Sequence, residues 1–295
     1  MATKLVLAAE DIVGESIVWD DRHNRLVWVD IIGRRIHGFF PDTGVHQVWN
    51  VTGRPTSIGL RHDGGAIVGM ERHVCLWDWA GEPVQVCEVE PLQPGNRLNE
   101  GVVGPDGCFW IGTMQNNIAD DDSPLDVLQS VGRLYRFAPD GTLSQISDDV
   151  FGITNTFVWP QDNLLITADT IANELYRYRI DADGALSDRK TIQAGFERGV
   201  PDGSALDAEG FIWTARVAGG ACLTRTFPDG KIDRVVDLPC TWPTSCTFGG
   251  PDLAILFVTS ARFTMSAGYL AKNPKEGALF AVDLGVKGNK EHRFG

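Results

Sequence analysis

Pro105-Asp106-Gly107-Cys108-Phe109-Trp110-Ile111-Gly112-Thr113 sets the pattern of the whole chain: an acidic Gly turn followed at once by a short β-branched and aromatic run. Gly tolerates positive φ and Asp can hydrogen-bond its own backbone, so such couplets join antiparallel strands. Related turns stand at Pro41-Asp42-Thr43-Gly44, Asp63-Gly64-Gly65, Pro139-Asp140-Gly141, Asp183-Gly184 and Pro228-Asp229-Gly230. Strand-length apolar runs lie between them, among them Leu26-Val27-Trp28-Val29-Asp30-Ile31, Ala66-Ile67-Val68-Gly69, Leu164-Leu165-Ile166-Thr167, Phe211-Ile212-Trp213-Thr214 and Leu256-Phe257-Val258-Thr259. No long amphipathic helix is readable.

Counting units from the segment before each first strand, near Gly14, Thr56, Asn99, Thr154, Val200 and Pro243, gives spacings of roughly 40 to 55 residues, the length of one propeller blade. A third strand recurs late in several units: Arg35–Phe39, Gly132–Phe137, Asn173–Tyr178 and Gly277–Val282. The expected fold is all-β, a six-bladed β-propeller with four-stranded antiparallel blades around a central channel, occupying residues 1–295 as one domain. A propeller closes its ring by mixing strands from both chain ends in one blade, which assigns closure to Lys4–Ala9 and Leu279–Leu284.

The chain has 295 residues and a net charge of −13. No Lys/Arg block forms a phosphate-binding stripe, which argues against nucleic acid and anionic membranes as partners. Leu5–Ala9 is too short for a secretory signal core and no segment approaches a spanning helix, so a cytoplasmic location is expected. The six cysteines show no C-x-x-C spacing and read as buried free thiols. The six histidines lack paired ligand spacing, most lie beside turns or on polar strand faces, and none is assigned a catalytic role. Trp28, Trp110 and Trp213 recur at one strand position and are expected to pack between blades.

Polar residues at blade starts converge at one end of a propeller channel although they are distant in sequence. They are Gly14-Glu15-Ser16, Asn96-Arg97-Leu98-Asn99-Glu100-Gly101, Ile153-Thr154-Asn155-Thr156 and Pro201-Asp202-Gly203-Ser204. Carboxylate and amide oxygens in one place suit a hard divalent cation better than a nucleophilic triad.

These segments, with Trp110-Ile111-Gly112-Thr113-Met114 and Phe248-Gly249-Gly250-Pro251-Asp252 through Thr259-Ser260-Ala261, resemble the regucalcin/gluconolactonase family from about Val13 to Val282. The resemblance implies a sugar lactonase with one divalent ion (Ca, Zn, Mn, Mg or Fe(II)) held by Glu15, Asn155 and Asp202. It places Arg97 and Asn99, with Glu100 beside them, against the substrate, and makes Gln115–Val131, with Asp120, Asp121 and Asp122, a lid. The acidic run itself reads as a solvated loop rather than a second metal site. Family members commonly carry Gly where Ser16 and Thr156 stand, and Asp where Glu100 stands.

The expected reaction is opening of a sugar lactone by water that the metal polarises and acidifies, with Asp202 as general base. The expected partner is a small-molecule sugar lactone, the protein itself being a monomer or weak homo-oligomer. Two rivals share the scaffold: a non-catalytic metal-binding or interaction propeller, and an esterase or organophosphate hydrolase.

Overall fold

The computed structural model describes residues 3–295 and forms the six-bladed propeller. Its inner strands are Gly14–Asp20, Pro55–Arg61, Asn96–Val103, Thr154–Gln161, Val200–Leu206 and Pro243–Gly249, the first strands of blades one to six. Each begins within three residues of the start read from the sequence, because turn residues and apolar runs are local signals. The four repeat strands of every blade are antiparallel and run outward in chain order, except in the sixth, whose outermost strand is Thr3–Leu7 paired with Leu279–Asp283. That pairing joins the two ends of the chain as the repeat requires.

Blades pack through indoles tied to carboxylates. Trp28, Trp110 and Trp213 are fully buried, and each ring N–H donates to an aspartate: Asp11 at 2.8 Å, Asp106 at 3.1 Å and Asp207 at 2.9 Å. A buried indole N–H needs such a partner, and the bond fixes the ring's orientation between neighbouring sheets.

Three features were not legible beforehand. A six-residue helix, Ala267–Lys272, capped by Ser266, interrupts the last blade. The C-terminal Arg293–Phe294 adds a fifth strand to blade two, parallel to Leu60–Arg61. His37, expected on a polar face, is wholly buried, stacked 4.7 Å from Trp28 and hydrogen-bonded through Nδ1 to His46 at 2.9 Å. All six cysteines are free, and five are buried. Among the described residues no helix is long and apolar enough to cross a membrane.

All six inner strands carry a register shift near their middle, at Glu15/Val18, Pro55/Ser57, Leu98/Gly101, Asn155/Val158, Pro201/Ser204 and Pro243/Cys246. A bulge re-aims side chains locally. In five of the six it divides the inner strand into a first half that lines one cavity and a second half that lines another, while Pro55–Arg61 of blade two lines neither.

Candidate active site

The first cavity, about 460 Å³, opens at the blade-start end and is lined by Glu15, Arg97, Asn99, Asn155 and Asp202 together. Asn155 and Asp202 are nearly inaccessible, at 3% and 6% exposure. Glu100 departs from the others. The bulge after Leu98 turns it toward a second cavity of about 430 Å³ at the opposite end of the channel, where the C-terminal residues Asn289–His292 also line the wall.

Hydrogen bonds fix which atoms face the first cavity. The Asn155 amide spends Nδ2 on Thr170 Oγ1 at 2.8 Å, and Thr170 donates onward to the Pro201 carbonyl at 2.8 Å. Asn155 therefore offers Oδ1 inward, where Asn99 Nδ2 approaches at 3.3 Å. Asn99 is tied at both ends, donating to the Thr154 carbonyl at 2.9 Å and accepting from Arg97 Nη1 at 2.9 Å.

Arg97 was read from its motif, but its main partner was not. Asn117 Oδ1 accepts from Nε at 3.1 Å and from Nη2 at 2.8 Å, while Nη1 also donates to the Leu98 carbonyl at 2.8 Å. With the bond to Asn99, four of the five guanidinium N–H groups are committed, leaving one on Nη2 for a ligand. Asn117 belongs to no periodic segment, and only its place in the long loop after Gln115 could have flagged it.

Ser16 and Thr156 stand at positive φ, 52° and 59°, a conformation that Gly adopts without strain. Their hydroxyls are used instead. Ser16 Oγ accepts from Ile58 N at 2.9 Å, and Thr156 Oγ1 donates to the Asp202 carbonyl at 2.5 Å while pairing with Ser204 Oγ at 2.8 Å. Each bond ties one inner strand to the next around the channel.

The loop from Asn116 to Val131 is anchored by an ion cluster rather than solvated throughout. Asp122 accepts from Arg34 through two nitrogens at 2.8 and 2.9 Å and from Arg54 at 2.6 Å, and Arg54 also holds Glu71 and the Ala119 carbonyl. The loop thereby brings Asn117, Ile118, Pro124, Leu125 and Asp126 into the cavity wall.

Electrostatically the site holds more carboxyl groups than cations. Burial, followed by the neighbouring carboxylates of Asp202 and Glu100, pushes the Glu15 carboxyl well above its usual range. Burial and then Glu100 do the same to Asp202. Burial raises Glu100 to about 7 and lowers Arg97 to about 10. One guanidinium cannot neutralise Glu15 and Asp202 with the Glu100 carboxyl close behind them, so the donor set of the first cavity fits an added divalent cation.

A second acidic group, Asp11, Asp30 and His37, lies outside the cavity in blade one. Asp30 already accepts from Ile12 N, Val13 N, Gly33 N and Arg35 at 2.5 Å, and the Arg35 guanidinium is 3.6 Å from Asp11. A cation there would face that guanidinium, and the group is a structural corner.

Residues 13–262 match the family described as SMP-30/Gluconolactonase/LRE-like region. Among similar proteins, 6-deoxy-6-sulfogluconolactonase of Pseudomonas putida is 33% identical, covering 99% of this chain and 98% of its own. Regucalcin of Xenopus laevis is 32% identical over 94% of this chain and 92% of its own. The solved structure of a calcium-binding protein, regucalcin, from Agrobacterium tumefaciens superposes with a TM-score of 0.89 at 27% identity, covering 100% of this chain and 97% of that one. With the match covering every inner strand that lines the cavity, the chain belongs to the SMP-30/gluconolactonase/LRE-like family.

Proposed function

We propose that the protein hydrolyses the lactone of a sugar acid to the open-chain acid. The observation that carries this reading is the meeting of two carboxyls, half-buried Glu15 and buried Asp202, an inward amide oxygen, Asn155 Oδ1, and an incompletely bonded guanidinium, Arg97, in one cavity. The relative from Pseudomonas putida, named for a sugar lactone, supports the substrate class.

Glu15, Asn155 and Asp202 would hold a divalent cation, which when bound polarises a carbonyl and acidifies water. The residues of the chain do the rest. The free Arg97 N–H and the Asn99 amide orient ring hydroxyls, a positioning role. Asp202 accepts a proton as the water oxygen bonds to the carbonyl carbon. That proton passes to the ring oxygen when the acyl C–O bond breaks, so water is consumed and one hydroxy acid is formed.

The test is hydrolysis of an aldonolactone panel by protein freed of metal with a chelator and then resupplied with Ca²⁺, Mn²⁺ or Zn²⁺. Activity should vanish and return, with the fold intact throughout. Full activity in the metal-free protein would overturn the assignment.

A further inference from the structure

Resting on the lactonase reading, we infer that the preferred substrate is uncharged and deoxygenated at the end remote from its carbonyl: the lactone of a terminally deoxygenated hexonic acid. The basis is the chemical division of the first cavity between a polar depth and an apolar rim.

The ionic and amide groups Glu15, Arg97, Asn99, Asn155 and Asp202 all come from inner strands. A lactone carbonyl directed at them leaves its exocyclic carbons facing the loops. Those loops supply Pro124, Leu125, Ile171, Ala218, Trp242 and Phe263. Leu125 is 48% exposed and Ile171 56% exposed, so two large aliphatic side chains stand open to water at the mouth of the same cavity. Scattered exposed aliphatics need no explanation, but several around one cavity form an apolar contact surface for a ligand.

The charge pattern points the same way. Among the described residues Arg97 is the only cationic side chain lining the cavity, and four of its five N–H groups are already bonded to protein. The rim's one charged residue, Asp126, is negative. A sulfonate, phosphate or carboxylate at the remote end would meet repulsion and no counter-charge. A terminal hydroxyl set against Leu125, Ile171 and Phe263, away from Asp126 and Thr264 on the same rim, would lose water without gaining a partner, whereas a methyl group gains contact at no polar cost.

The rim is also built into place. Leu125 N donates to the Asn117 carbonyl at 2.8 Å, and Ile118 bridges Pro124. Asn117 is the residue that grips Arg97, so the apolar rim and the hydroxyl-reading guanidinium share one support.

The experiment measures kcat/KM of the metal-loaded enzyme on matched hexonolactones of gluco, galacto and manno configuration, each as the 6-hydroxy, 6-deoxy and 6-sulfo compound. In the best configuration the 6-deoxy lactone should exceed its 6-hydroxy partner about 10-fold, the scale for one group in an apolar pocket. The 6-sulfo compound should be slowest. Leu125→Arg, on an exposed rim residue outside the ligand set, should slow the 6-deoxy lactone and speed the 6-sulfo one. A 6-hydroxy or 6-sulfo lactone that matches or beats its 6-deoxy partner in every configuration overturns this inference while leaving the lactonase reading intact. So does an unchanged substrate ratio in Leu125→Arg. Failure to hydrolyse any lactone overturns the lactonase reading itself, and this inference with it.

Discussion

Thr156 Oγ1 donates to the backbone carbonyl of Asp202 at 2.5 Å, so the residue after one proposed ligand holds the main chain of another. Thr156 does this at φ 59°, a strained conformation for a β-branched residue. Such strain costs about 1–3 kcal/mol, and the buried hydrogen bond returns about 1 kcal/mol. Thr156→Gly should therefore leave urea stability within about 1 kcal/mol of wild type. Thr156→Val keeps the strain and orphans the carbonyl, and should lose about 2–3 kcal/mol.

Asp202→Asn tests the base. The amide keeps a ligand oxygen and removes the charge, so metal affinity should fall. Turnover should stay about 10²- to 10⁴-fold low even when metal analysis confirms full occupancy. A kcat near wild type at full occupancy would make Asp202 a replaceable ligand.

The metal-free protein should lose stability as pH rises. Glu15, Glu100 and Asp202 all have folded-state values raised by burial, so their protonated forms favour the fold. That contribution is complete below the unfolded carboxylate range and is lost as pH climbs through about 7, the value for Glu100. For Glu100, moving from the ordinary 4.5 to about 7 corresponds to about 3 kcal/mol. Denaturation between pH 4 and 8 should show Glu100→Gln with a flatter decline, and a divalent ion should restore stability at pH 8.

Asp122→Ala should loosen the loop over the cavity, because Arg34 loses both of its bonds to that carboxylate while Arg54 keeps Glu71. A positioning loss near 1 kcal/mol predicts a KM raised about 3- to 10-fold with kcat less affected. Hydrogen exchange should quicken in residues 116–131. Unchanged exchange there would show that the loop is held by other contacts.

Asp207→Ala should destabilise without touching the cavity. Its buried carboxylate accepts from Trp213 Nε1 at 2.9 Å, Arg225 Nε at 2.8 Å and two backbone N–H groups. Removing it leaves the Trp213 N–H and two backbone N–H groups unpaired and takes one of three carboxylates from the buried Arg225 guanidinium, which keeps Glu209 at 2.6 Å and Asp233 at 3.1 Å, so the loss should be about 2–3 kcal/mol. Chemical denaturation checks this.

The blade starts, the ring closure and the indole positions were legible in the sequence, because strand periodicity and turn residues act over a few neighbours. Glu15, Arg97, Asn99, Asn155 and Asp202 could be placed in one cavity for the same reason: each occupies a blade start, and the repeat carries blade starts to one end of the channel. Three further facts depended on tertiary structure. The bulge after Leu98 turns Glu100 to the opposite cavity, although it is adjacent to Asn99. Asn117 reaches Arg97 from a loop with no period, and Asp122 meets Arg34 and Arg54 across 88 and 68 residues. The C-terminal Arg293–Phe294 joins blade two, which no hairpin signal announces. Local pattern specifies which backbone segments pair. Where a bulge turns a side chain, and which distant charge a loop finds, depend on the space left once the blades have closed into a ring.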